Sequence, residues 1–175
     1  MANIIKINDM VLDRLIEHCN MNPYLECGGY LFGKYRNTYT DTIVTITGIY
    51  YEKVFGTEDH FTFSPLYKMR ALNKGKEIYR INGAKFIGCY HSHGQYAAKF
   101  SDTDRIMEIL HYSSNKAALI YSPIEDKLIG DIVTSTKELK EARITVIGQD
   151  EFDRMYYPKL PKTSGKVISL KNLSK

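Results

Sequence analysis

The chain has 175 residues, of which 43% are hydrophobic and 25% charged, and its formal net charge is +4. This length and composition predict one globular domain that can bury a core without disulfides or a structural metal. The positive charge is small and scattered, which argues against nucleic-acid binding. No apolar stretch reaches transmembrane length, and Asn3 and Lys6 interrupt the N-terminus in a way that does not fit a signal peptide.

The N-terminal half alternates strand and helix patterns. Residues 4–7 predict a short strand, and Asn8 then caps a helix that ends near Asn20. The apolar face of this helix is predicted to contain Met10, Val11, Leu15 and Ile16. Residues 29–33 and 42–47 predict two further strands, the second because β-branched apolar residues alternate with threonine. Residues 50–58 predict a loop, and residues 60–63 predict another short strand.

The second half continues with a helix predicted over residues 67–82, interrupted at Gly75, and an apolar strand at 85–90. A helix over 102–112 follows. Strands at 117–121 and 127–133 are joined by a hairpin-like link, and 144–147 adds one more. The segment 150–175 contains two prolines and many lysines and is predicted to be extended, which leaves 1–149 as the domain. These elements predict an α+β fold with a mixed, largely antiparallel sheet flanked by helices.

Two histidines and an aspartate lie around the end of the strand at 85–90. His91 and His93 are at i and i+2, so their rings project from one face if the strand continues. Ser101 and Asp104 then open the next helix as an N-cap with an acid in the first turn. Three such ligands, with a fourth position left for water, are typical of a catalytic zinc site.

The spacing His-x-His-x7-Ser-x2-Asp resembles the JAMM motif of the MPN/JAB metallopeptidase family at all four positions. That family also has an upstream glutamate, and Glu26, within residues 23–33, is similar to it in setting. The resemblance covers roughly residues 8–133. One position departs from the family pattern, because Gly94 stands where the family usually has proline after the second histidine, which leaves that loop freer.

The resemblance implies a curved sheet flanked by helices, similar to the cytidine-deaminase arrangement, and one Zn²⁺ per chain held by His91, His93 and Asp104. It assigns Glu26 the role of general acid and base. Ser101 caps the helix, and its hydroxyl can also donate to the oxyanion that forms when water attacks the carbonyl. Members of the family cleave amide bonds, especially isopeptide bonds after the C-terminal tail of ubiquitin or a ubiquitin-like protein.

The compact chain is more similar to a stand-alone prokaryotic JAB peptidase than to larger members of the family. Related bacterial forms process ubiquitin-like modifiers or conjugates made by anti-phage defence operons, so E1- or E2-like operon partners are expected. We expect no membrane partner. The polar segment 50–58, followed by residues 60–63, is a candidate edge for binding the substrate tail by strand addition. The alternative is a catalytically silent MPN scaffold, although such members typically lack one or more ligands that are present here.

Other chemistries have weaker signals. The chain has an odd number of cysteines, and all three, Cys19, Cys27 and Cys89, lie in or beside apolar patterns. This predicts free thiols in a reducing, cytoplasmic compartment. Cys89 can share the ligand face or act as a nucleophile, but its apolar neighbours predict burial, which raises the pKa of a thiol and makes it inert. The H-x-E and P-C-x-x-C signature of a zinc deaminase is absent from the sequence.

Overall fold

The computed structural model describes residues 2–79, 83–111, 114–134 and 136–151. The helices are α1 (Asp9–Asn20), α2 (Pro65–Tyr79) and α3 (Asp102–His111). The strands are β1 (Ala2–Asn8), β2 (Gly28–Asn37), β3 (Asp41–Tyr50), β4 (Lys85–Ser92), β5 (Lys116–Ser122), β6 (Lys127–Val133), β7 (Leu139–Glu141) and β8 (Arg143–Ile147). A helical turn begins at residues 149–151. The rest of the predicted C-terminal segment lies outside the described residues.

These strands form one sheet in the order β7-β6-β5-β4-β2-β3-β1-β8. Four of the pairings are antiparallel and three are parallel. The predicted mixed sheet with flanking helices is therefore confirmed. Strand β4 lies in the middle, antiparallel to β2 on one side and parallel to β5 on the other. This central strand carries His91 and ends one residue before His93.

The sheet is strongly curved, so that its two ends approach each other. The register of β2 against β4 shifts between Leu31 and Phe32, and such bulges bend strands. Gly88 in β4 has a φ of 144°, and a Cβ there would lie 1.8 Å from the carbonyl oxygen of Ala117. At Gly130 in β6, a Cβ would lie 2.8 Å from Cδ1 of Ile5 in β1. The curvature thus leaves the sheet nearly closed.

Helix α1 packs on one face of the sheet. The side chain of Asn8 accepts a hydrogen bond from the backbone N–H of Met10 at 3.1 Å, which confirms the predicted cap. The buried face of the helix consists of Val11, Leu15, His18 and Cys19. The prediction that Met10 belongs to this face is wrong, because Met10 is 60% exposed. Each step along a helix turns by about 100°, so Met10 points away when its neighbour Val11 points inward.

Helix α2 packs on the other face and is continuous, so the predicted interruption at Gly75 is wrong. A Cβ at Gly75 would lie 1.9 Å from Cζ of Phe32 in β2. The glycine therefore makes room for an aromatic ring instead of ending the helix. Tyr67 and Ala71 on α2 complete this second hydrophobic cluster with Tyr30.

Residues 60–63 are not a strand, which corrects the sequence-based prediction. Their alternation is nevertheless real, because Phe61 and Phe63 are half-buried while His60 and Thr62 are exposed. The phenylalanines pack on the cluster of α2 and β2, so side-chain packing satisfies the pattern without strand pairing. Strand β7 was not predicted, because it has three residues and two of them are exposed.

All three cysteines are free and buried, as predicted. Across the described ranges, none of the helices has the length and apolar character needed to cross a membrane.

Candidate metal centre

The two histidines lie at the end of β4 and face the same side. His91 pairs with Gly28 of β2 and with Ile120 of β5. His93 follows the strand, but its N–H still donates to the carbonyl of Tyr121 at 3.0 Å, so the extended backbone continues to this residue. The two Nε2 atoms are consequently 3.2 Å apart. Both rings are close to nine-tenths buried.

Asp104 reaches the histidines from the first turn of α3. Its N–H donates to Ser101 Oγ at 3.1 Å, while the N–H and hydroxyl of Ser101 donate to Asp104 Oδ2 at 2.8 and 2.6 Å. This reciprocal cap fixes the carboxylate at the helix start. Oδ1 lies 3.2 Å from Nε2 of His91, and Oδ2 lies 3.4 Å from Nε2 of His93. Two neighbouring elements therefore supply three convergent donor groups.

The distances between these donors fit a metal ion. Nitrogen and oxygen ligands bond first-row metals such as zinc at about 2.0–2.2 Å, and tetrahedral angles then separate neighbouring donors by about 3.3–3.6 Å. The separations here are 3.2, 3.2 and 3.4 Å. Among the described residues, the donor atoms of His91, His93 and Asp104 all lie within 4.8 Å of one another. The cluster can hold a metal ion without rearrangement of the backbone.

The second ring nitrogen of His93, Nδ1, holds the ring in place so that Nε2 faces the site. Nδ1 donates to the carbonyl of Ala97 at 3.1 Å. A histidine that donates from one nitrogen keeps the lone pair of the other for a metal.

The Asp104 carboxyl is held in its charged form. Burial alone would raise its pKa, but hydrogen bonds and charge from the protonated imidazoles of His91 and His93, together with the Ser101 hydroxyl, hold the pKa well below its usual range. A carboxylate that stays ionised is the form that binds a cation.

Glu26 lies just before β2, on the same cleft as the three donors. Its N–H donates to Thr57 at 2.9 Å, and its carbonyl accepts from Gly56 at 2.7 Å, so its backbone is fixed against the 55–57 segment. The residue is 8% exposed. Burial raises the pKa of its carboxyl, against the attraction of the imidazoles of His91 and His93. A carboxyl with a raised pKa exchanges protons closer to neutral pH.

The cleft has a volume of about 740 Å³. Residues 60–63 and the start of α2 line it together with Ser101, Thr103 and Asp104. The wall contributed by Phe61 and Phe63 is apolar, whereas the polar groups converge where the histidines lie. All five residues singled out in the sequence, including Ser101, line this one cleft.

The backbone conformation at position 94 explains why this residue is glycine and not proline. Its φ is +50°, and a Cβ there would lie 2.9 Å from the carbonyl oxygen of Tyr24. Proline, whose φ is fixed near −65°, cannot adopt this backbone. The turn is closed by a hydrogen bond from the Tyr96 N–H to His93 at 2.7 Å, and Gln95 donates to Glu58 at 3.0 Å. The loop after the second histidine is thus held by specific contacts.

The sequence-based reasoning missed a buried polar cluster on the other face of β4. Nδ1 of His18 lies 2.8 Å from the hydroxyl of Tyr90 and 3.7 Å from Sγ of Cys27, and Ser92 Oγ lies 3.5 Å from the same sulfur. His18 follows Val11 and Leu15 at helical spacing, which could have indicated its burial. For Ser92, nothing in the sequence pattern signalled a role.

Comparison with known proteins agrees with this geometry. The family described as prokaryotic homologs of the JAB domain matches residues 9–142. The solution structure of protein DSY2949 from Desulfitobacterium hafniense has the same fold, with a TM-score of 0.63 at 20% identity, over 83% of this chain and 94% of that chain. No curated protein matches the chain. Because the family match spans most of the sequence and includes every element of the site, the chain belongs to the prokaryotic homologs of the JAB domain.

Proposed function

We propose that this chain is a zinc-dependent peptidase that hydrolyses peptide or isopeptide bonds after the C-terminal tail of a ubiquitin-like protein. The observation that carries the proposal is that Glu26 shares one cleft with His91, His93 and Asp104. Structural zinc sites are closed by four protein ligands, whereas catalytic sites keep a position open. Three donors beside a buried glutamate and an open cleft follow the catalytic pattern.

The residues of the cleft would have two roles, metal binding and proton transfer. His91, His93 and Asp104 would hold zinc, which supplies a Lewis acid and lowers the pKa of water. Glu26 takes a proton from the attacking water and delivers it to the departing amine. Ser101 Oγ now donates to Asp104 at 2.6 Å. To act as the oxyanion donor, this hydroxyl must turn from the carboxylate towards the substrate carbonyl.

The shape of the cleft supports an extended peptide as substrate. Residues 60–63 form an irregular wall and not an edge strand, so we place the substrate tail along the half-buried rings of Phe61 and Phe63. This contact grips apolar side chains and leaves the polar end of the cleft for the bond that is cleaved. E1- or E2-like proteins that make the conjugate are the proposed operon partners, as in anti-phage defence systems, and neither nucleic acid nor membrane lipid is proposed as a partner. The three free thiols fit a cytoplasmic site of action.

The first experiment measures metal. Purified protein supplied with zinc should bind about one ion per chain, and His93→Ala and Asp104→Ala should lose this binding while they stay folded. His60→Ala is the matched control, because His60 lines the same cleft but lies outside the ligand group. A wild-type protein that binds no zinc would end the enzyme proposal.

The second experiment distinguishes a role of Glu26 in proton transfer from a role in metal binding. Glu26→Gln should keep its zinc and lose turnover of a ubiquitin-like fusion by about 10²–10⁴-fold, the usual contribution of general acid–base catalysis. Activity within a factor of a few of wild type would remove Glu26 from the mechanism. If wild-type protein binds zinc yet cleaves neither linear fusions nor isopeptide conjugates, the scaffold alternative is correct.

A further inference from the structure

Ser92 lies between the two candidate metal-binding histidines, and its side chain points to the opposite face of β4. It is fully buried. The N–H of Cys27 donates to Ser92 Oγ at 3.0 Å, and the N–H of Ser92 donates to the carbonyl of Cys27 at 2.8 Å. The serine hydroxyl also lies 3.5 Å from the carbonyl of Leu25, to which it can donate. Both neighbours of Glu26 are therefore bonded to this one residue.

Glu26 lies outside the sheet, since β2 begins at Gly28. The 55–57 segment holds its backbone on one side, and that segment is a loop apart from its single bridge to Cys27. On the other side, the contacts through Ser92 connect the glutamate to β4, which is the central strand. The distance between the Glu26 carboxylate and the histidines therefore depends on Ser92 as well as on the pairing of Gly28 with His91.

We propose that Ser92 is a positioning residue that fixes Glu26 relative to the metal-binding histidines, an inference that rests on the proposed function. It contacts no substrate and holds no metal. Its hydroxyl accepts a hydrogen bond from the Cys27 N–H, and this bond fixes the backbone conformation next to Glu26. A misplacement of about 1 Å can reduce turnover by about 10²-fold. Removal of the hydroxyl should therefore reduce kcat by about 10–100-fold and leave zinc affinity and KM within a factor of about three.

The test compares variants that differ in the hydroxyl. Ser92→Ala removes it. Ser92→Thr and Ser92→Val form a second pair of equal shape, of which only threonine keeps the hydroxyl, so the comparison still decides if alanine fails to fold. Cys27→Ala is the matched control, because it removes the thiol next to Ser92 Oγ but keeps the backbone N–H that donates to it. We expect near wild-type kcat in Cys27→Ala and Ser92→Thr, and low kcat with normal zinc binding in Ser92→Ala and Ser92→Val.

A double variant distinguishes positioning from a general loss of structure. In the Glu26→Gln background, Ser92→Ala should reduce the residual activity by less than twofold, because the group that Ser92 positions is already gone. A full additional loss would overturn the proposal, as would loss of zinc in parallel with kcat, which would mean that Ser92 acts on the histidines. Equal kcat in the threonine and valine variants would overturn it as well. Wild-type protein that binds zinc but cleaves nothing would instead refute the proposed function, and this inference with it.

Discussion

Replacing Gly75 with alanine should destabilise the protein, although the same change stabilises most helices. Alanine is favoured over glycine inside a helix by about 1 kcal/mol. At this position, however, the new Cβ would lie 1.9 Å from Cζ and 2.2 Å from Cε1 of Phe32, where ordinary contact begins at 3.4 Å. The sign of the effect therefore depends on whether the ring can move.

The ring of Phe32 has little space to move. Relief requires a displacement of about 1.5 Å, the difference between 3.4 and 1.9 Å. Phe32 is 1% exposed and packs edge-on against Phe86 at 6.4 Å between ring centroids. Overpacking costs about 1–3 kcal/mol, and a clash of this depth belongs at the upper end. After the helix gain of about 1 kcal/mol is subtracted, we expect a net loss of about 2 kcal/mol in the free energy of unfolding.

Urea unfolding of the metal-free protein, followed by circular dichroism, measures this loss. Asn73→Ala is the control, because Asn73 is exposed on the same helix and should gain about 0.5 kcal/mol. Adding Phe32→Leu to Gly75→Ala should restore part of the loss, since the smaller side chain vacates the space that the Cβ needs. If Gly75→Ala alone is as stable as wild type or more so, Phe32 does not pack against α2 at this point and the reasoning is refuted.

Two further predictions concern hydroxyl groups. The hydroxyl of Tyr30 is buried and has no hydrogen-bond partner in the described part of the chain, so Tyr30→Phe should raise the free energy of unfolding by about 1 kcal/mol. Tyr67→Phe should lower the free energy of unfolding by a similar amount, because the Tyr67 hydroxyl bonds two backbone groups at 3.0 Å. If thermal unfolding shows both variants to be less stable than wild type, the Tyr30 hydroxyl has a partner after all. Ser101→Ala should cost about 1 kcal/mol through loss of the helix cap, and it should weaken zinc binding because Asp104 loses a donor. Ser101→Thr should retain most of both properties, and equal urea midpoints for the alanine variant and wild type would argue against the cap.

Features that depend on neighbouring residues could be predicted from the sequence. The cap at Asn8 is a bond between residues two apart, and the link between β5 and β6 turns at Asp126 with a φ of 47°. The same holds for His91, His93 and Asp104, because the periodicities of a strand end and a helix start determine where their side chains point. The candidate ligands could therefore be identified before the sheet order was known.

Features that depend on distant residues could not be predicted. From the sequence alone, Gly75 predicts a helix interruption, because the packing of the Phe32 ring from β2 against this position cannot be foreseen. Residues 60–63 alternate like a strand, but their phenylalanines pack on a cluster that the local sequence does not reveal. The contacts of Ser92 could not be predicted either, since its hydroxyl meets the Cys27 N–H only when β4 pairs with β2.

The origin of the site in two separated stretches of sequence has a consequence for assembly. His91, His93 and Asp104 come from one strand, one loop and the next helix, whereas Glu26 reaches them only when β2 docks on β4. Closing the short loop costs less chain entropy than bringing in the distant glutamate. If the chain binds zinc and hydrolyses peptide bonds as we propose, metal binding can precede catalytic competence during folding. A partly folded molecule would then carry its ion before it can hydrolyse other proteins, and the metal content of a sample would overstate the fraction of active protein.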